Sequence, residues 1–89
     1  MRFGMNQNVD YKGAVYHVQT EDGGDKNPLV TTLLFKDGVI LASKKTSYAD
    51  IIKSEKLDSI VKGLIKEQHA SVVNALLAGE YSKPGIEAL

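Results

Sequence analysis

Apolar and polar positions alternate with period two through the first half of the chain and recur every three to four residues through the second. Ala14–Glu21 (AVYHVQTE) is the clearest alternating run. Ala14, Tyr16, Val18 and Thr20 share one face, and Val15, His17, Gln19 and Glu21 share the other, the pattern of a half-buried strand. Residues Phe3 to Val9 predict a fainter strand before it. Asp10-Tyr11-Lys12-Gly13 predicts the turn between them, with Asp first and Gly fourth as type I turns favour. Asp22–Pro28 (DGGDKNP) reads as a loop, and Pro28 is allowed only at the start of the strand that follows. Leu29–Phe35 and Val39–Thr46 then flank Lys36-Asp37-Gly38. An Asp-Gly pair tolerates the positive φ that a type I′ turn needs at both central residues, so a tight hairpin is predicted.

The period changes after Ser47. Ser47-Tyr48-Ala49-Asp50 fits the S-x-x-D capping box and predicts a short helix through about Lys53. Leu57, Ile60, Val61, Leu64, Ile65, Val72, Val73, Leu76 and Leu77 follow at spacings of three and four. They form a wide apolar stripe on a long amphipathic helix that leaves Ser59, Lys62, Lys66, Glu67, Ala70 and Asn74 outside it. His69 falls near the polar boundary. Gly79 supplies a stop after Ala78. Gly63 costs the helix about 1 kcal/mol against alanine, which suggests that it permits close packing on a sheet. Residues 1–81 read as a single α+β domain: an antiparallel meander of three or four strands, a short helix, and one long C-terminal amphipathic helix packed on one sheet face. Residues 82–89, with Pro84-Gly85, are expected to fray.

One strand does not fit a sheet covered on a single side. Leu29, Leu33 and Phe35 lie on one face of the first hairpin arm, and Val30 and Leu34 on the other. Period two extends the two sets across the hairpin to Ile40 and Ala42 or to Val39 and Leu41. A strand that is apolar on both sides needs cover on both, and one helix covers one. The second cover is a second copy, a partner protein, or the Ile51–Ile52 segment folded under the sheet. Leu29, Leu33, Phe35 and Ile40 are the candidate interface.

Composition narrows the function classes. Eleven Lys and Arg balance eleven Asp and Glu, so the basic excess that usually marks a nucleic-acid binder is absent and none is expected as a partner. Zero net charge also leaves little repulsion between copies. The chain has no cysteine, which excludes disulfides and thiolate metal sites and gives no sign of secretion. No window nears the ~18 apolar residues of a membrane span, and the N-terminal residues lack a signal-peptide core. The chain reads as a cytoplasmic protein with no membrane association.

Tyr16-His17-Val18-Gln19-Thr20-Glu21-Asp22, Asn27-Pro28, Ile40–Tyr48 (ILASKKTSY) and the Glu67-Gln68-His69 step together resemble a small family of uncharacterised bacterial proteins with the pattern HVQTED…NP…ILASKKTSY. The resemblance spans roughly Tyr11 to Gly79. It implies a bacterial origin and a single complete domain, and it directs attention to the Thr20–Pro28 loop and the Lys44–Tyr48 corner. It implies no activity or catalytic residue.

Chemistry is sparse. Glu21, Asp22 and Asp25 supply oxygen ligands suited to Ca²⁺ or Mg²⁺, but not at the alternate positions of an EF-hand loop. Gly and Asp form turns in any case, so a solvated acidic turn is the simpler reading. His17 and His69 are the two histidines. An enzyme reading groups His17, Glu21 and Asp22 at a pocket on the sheet edge, yet no nucleophile motif accompanies either histidine. Lys44, Lys45, Ser47 and Tyr48, at a strand end leading into a capped helix, with His17, are the candidate ligand or anion contacts. Lysines on a strand are also a common guard against edge pairing. No Gly-rich loop opens a helix, so no phosphate loop is present. No cofactor and no catalytic residue are expected. The reading that remains is a non-catalytic interaction module with a protein partner or a second copy of itself.

Overall fold

A computed structural model describes residues 3–82. Four strands, β1 (Gly4–Tyr11), β2 (Ala14–Asp22), β3 (Leu29–Lys36) and β4 (Val39–Ser47), precede one helix, α1 (Leu57–Leu77). They form a single antiparallel sheet in the order β1-β2-β3-β4, so the fold is α+β. Single 3-10 turns occupy Ala49–Ile51 and Glu80–Ser82. The expected fraying of the C-terminal tail concerns residues that, from 83 on, lie outside the described ones.

Both hairpins close on two residues. Asp37 and Gly38 have φ of 52° and 78° between the paired Lys36 and Val39, the positive values a type I′ turn requires. The first hairpin turns at Lys12 (φ 49°) and Gly13 (φ 80°), between the paired Tyr11 and Ala14. The predicted type I turn at Asp10–Gly13 is therefore displaced by one residue. Its flat geometry would splay the strands, whereas positive φ at both corners follows their right-handed twist.

The Ala14–Thr20 face of β2 meets the helix. Met5, Gln7 and Val9 of β1, and Val30, Thr32 and Leu34 of β3, stand in register with it. Between Leu34 and Phe35 the register with β4 shifts. Leu34 pairs with Ala42 and Phe35 with Ile40, which leaves Leu41 with no residue opposite. This bulge returns Ala42 to the helix side, where it packs against the core, while Ile40 stays on the other. Strict alternation placed the two together, and the extra residue is why they part.

Two apolar clusters fill the space between α1 and the sheet. Val9, Tyr16, Val18, Leu34, Val72 and Leu76 form one. Val30, Tyr48, Val61 and Ile65 form the other, with Phe3, Ile51, Leu57 and Leu64 packed against it. Ile51 thus belongs to the helix side and does not fold under the sheet. The predicted capping box is not made: Tyr48 occupies the N-cap without a side-chain cap bond, and the Ser47 hydroxyl accepts the Ala49 amide at 3.3 Å. α1 ends as expected, with Gly79 at φ 79° and its amide donating to the Leu76 carbonyl at 3.0 Å.

Gly63 does not serve close packing. It is exposed, and a Cβ built there meets no atom within 4 Å. With no contact to disturb, Gly63→Ala is expected to raise stability by about 0.5–1 kcal/mol in urea unfolding. A loss of stability would show that this helix face is occupied.

Candidate functional site

Between the two apolar clusters lies a polar seam that the periodicity of the helix concealed. The apolar stripe of α1 has a gap of six residues between Ile65 and Val72, and the positions one turn inside it are Gln68 and His69. Both are buried, at 5% and 2% exposure. The sheet opposite them is polar too: Thr20 and Thr32, paired across β2 and β3, are 0% and 1% exposed.

The seam is bonded throughout. The Gln68 side-chain amide donates to the Val30 carbonyl, the Thr32 hydroxyl and the Lys44 carbonyl, each at 3.0 Å. With two hydrogens for three acceptors, one is shared. The Gln68 carbonyl accepts the Thr46 hydroxyl at 2.5 Å. Thr20 Oγ1 lies 2.7 Å from Thr32 Oγ1 and 2.8 Å from His69 Nδ1, and His69 Nε2 lies 3.0 Å from Gln7 Oε1. Because Gln7 presents an acceptor, the imidazole proton sits on Nε2. Donation then runs one way: Gln68 to Thr32, Thr32 to Thr20, Thr20 to His69 Nδ1, and His69 Nε2 to Gln7. Among the described residues no buried side-chain nitrogen or oxygen lacks a partner. Burial holds the His69 pKa below the ordinary histidine value, and repulsion from His17 adds to this.

A second buried polar contact fixes the β2–β3 loop. The Tyr48 hydroxyl donates to Asp22 Oδ1 at 2.5 Å, and the Gly24 amide donates to the same oxygen at 3.0 Å. The Tyr48 amide meanwhile donates to the Pro28 carbonyl at 2.9 Å. Burial pushes the Tyr48 phenol up to about 12, helped by its bond to Asp22 and by the negative charges of Asp22 and Asp25.

These contacts decide where the candidate residues fall. Asp22 is 6% exposed and faces the helix side, while His17 and Glu21 face the opposite side. β2 is also an inner strand, so the three do not gather at a sheet edge. Asp22 bonds its carboxylate to Tyr48 and Gly24, and it lines a cleft with Glu21 but not with His17. Among the described residues no three His, Asp or Glu side chains are arranged to hold a metal ion. The Lys44–Tyr48 corner divides likewise. Lys44 and Tyr48 are on the helix side, and Lys44 Nζ donates to Ser71 Oγ at 3.1 Å. Lys45 and Ser47 are on the other.

That other face of the sheet is open among the described residues. His17 sits among Asn8 Oδ1 at 2.9 Å, Asn6 Oδ1 at 3.3 Å and the Phe35 ring at 6.0 Å between centroids. Phe35 lies between His17 and Ile40 in register, and Leu33 between Gln19 and Ser43. Leu29, Leu33 and Phe35 are half-buried, and Ile40 is 55% exposed. Val15 and Leu41 are exposed nearby. The four candidate interface residues thus lie on one face, with Thr31 between Leu29 and Leu33 along β3 and Asn6, Asn8, Gln19, Glu21, Ser43 and Lys45 around them. No helix of the described residues is long and apolar enough to cross a membrane. The chain matches no family model, no curated protein and no solved structure.

Proposed function

We propose that this domain is a non-catalytic interaction module that pairs with a second copy of itself through the open face of its sheet. The observation that carries the reading is the apolar strip of Leu29, Leu33, Phe35 and Ile40, which neither the helix nor the Ile51 turn covers. Apolar surface with a polar rim is the usual signature of an interface; Leu33, Phe35 and Ile40 adjoin one another, and Thr31 separates Leu29 from them. A formal net charge of zero sets no long-range barrier between copies, and two such faces can stack as the layers of a sandwich. The separation of His17 and Glu21 from Asp22 favours this over an enzyme, and the division of Lys44 from Lys45 favours it over an anion site. A cytoplasmic setting follows from the sequence reading alone.

Light scattering coupled to size-exclusion chromatography tests it. The wild type should show a mass rising from 9.7 kDa toward twice that value with concentration. Ile40→Lys, at an exposed position, should remain a folded monomer, its dissociation constant weakened about a hundredfold or more. A wild type that stays monomeric at millimolar concentration overturns the reading.

A further inference from the structure

We propose that the free edge of β1, together with the flank of α1 beside it, is a docking groove for an extended peptide that carries acidic and apolar side chains. The site is separate from the open face, and either can fail without the other.

The two edges of the sheet differ. β4 carries Lys44 and Lys45 and is broken by the bulge at Leu41, three devices that discourage a further strand. β1 has none of them: no lysine or proline lies between Gly4 and Tyr11, and its register with β2 is unbroken. Its outward backbone groups can be assigned. A two-residue turn makes Tyr11–Ala14 a bonded pair, and alternation makes Val9, Gln7, Met5 and Phe3 bonded to β2 as well. The Asp22 amide donating to the Phe3 carbonyl at 3.1 Å agrees. Gly4, Asn6 and Asn8 therefore turn their amides and carbonyls outward, where a fifth strand would pair with them.

The wall beside this edge sets the chemistry of the strand. Phe3, Gly4, Met5, Lys62, Ile65 and Lys66 line a cleft between β1 and α1. Its floor is apolar, with Met5 37% exposed. Its rim is cationic, with Lys62 Nζ 4.8 Å from the centre of the Phe3 ring and Lys66 one helical turn on. Among the described residues no carboxylate lines it. A strand added to β1 places every second side chain over this cleft. An apolar side chain there covers Met5 and Ile65, and a carboxylate there meets Lys62 or Lys66. A basic peptide would face two like charges.

The test is an NMR titration of the intact chain with the blocked peptide acetyl-Glu-Thr-Leu-Thr-Glu-Thr-Leu-amide, whose acidic and apolar side chains share one face of an extended strand, with its lysine-for-acid counterpart as control. Amide shifts at Gly4, Asn6, Asn8, Lys62 and Lys66 with the acidic peptide alone are expected. Asn6→Pro removes an outward amide without touching a backbone bond between β1 and β2, though it gives up the side-chain contact to His17, and Lys62→Glu/Lys66→Glu reverses the rim at exposed positions. Each should weaken binding about tenfold or more while leaving the rest of the spectrum in place. No shift at these amides at millimolar peptide, equal shifts with the basic peptide, or shifts at these amides on raising the concentration of the chain alone would each overturn the proposal. Shifts confined to the Leu29–Ile40 face would overturn it too, and would leave the open-face reading standing.

Discussion

Gln68→Ala is expected to destabilise the domain by about 3–4 kcal/mol, a large part of the stability of a chain this short. Urea midpoints should fall with the slope unchanged, and Tm should drop by roughly 15–20 °C. Sequence alone argues the reverse, since alanine is the better helix former and a glutamine outside the apolar stripe reads as solvent-facing. The structure puts it under β3 and β4, where its amide joins the Val30 and Lys44 carbonyls to two threonine hydroxyls. Truncation opens a cavity and strands the Thr46 hydroxyl at once. Gln68→Leu separates the two costs. Leucine fills the space and adds apolar burial, so its penalty should shrink to about 1–2 kcal/mol, the part owed to unpaired polar groups. A leucine variant as stable as the wild type would show that the seam fills space and does not bind α1 to the sheet.

The elements were legible because their signals are local. The Asp37-Gly38 turn, the alternation of Ala14–Glu21 and the Gly79 stop each depend on residues adjacent in sequence. The bulge at Leu41 was not legible: it depends on how β4 meets β3, and nothing in Val39–Thr46 announces an extra residue. The polar seam was half legible. A six-residue gap in the helix stripe is visible in the sequence, but it becomes a buried network only when Thr20 and Thr32 of two strands arrive opposite it. Asp22 shows the same limit. In sequence it sits in an acidic turn, and only the position of Tyr48, twenty-six residues later, converts it from a possible cation ligand into a buried acceptor. Thr20, Asp22, Pro28, Thr46, Tyr48, Gln68 and His69 are all members of these contacts, and each contact joins residues far apart in the sequence.

The seam also fixes how stability should respond to acid. His69 accepts a proton from Thr20 on Nδ1 and donates from Nε2 to Gln7, so the bonded chain requires it to be neutral. A second proton would turn Nδ1 into a donor and force Thr20 to donate to Thr32. The Thr32 hydroxyl proton would then face the Gln68 amide, itself a donor. Burial and the His17 charge lower the folded pKa, so below the ordinary value of about 6.5 the unfolded chain binds a proton that the folded chain refuses. With more protons bound in the unfolded state, stability rises with pH. His69 therefore contributes nothing pH-dependent above about 7, and its contribution is lost progressively as pH falls from about 6.5 through the folded pKa. The slope approaches at most about 1.4 kcal/mol per pH unit for the one proton concerned. His69→Asn keeps an acceptor near the position of Nδ1 and cannot titrate. Urea midpoints measured for both proteins from pH 7.5 to pH 5 should converge as the wild type loses stability and the variant holds level. Parallel curves across that range would place the acid sensitivity elsewhere and show that the seam admits an imidazolium.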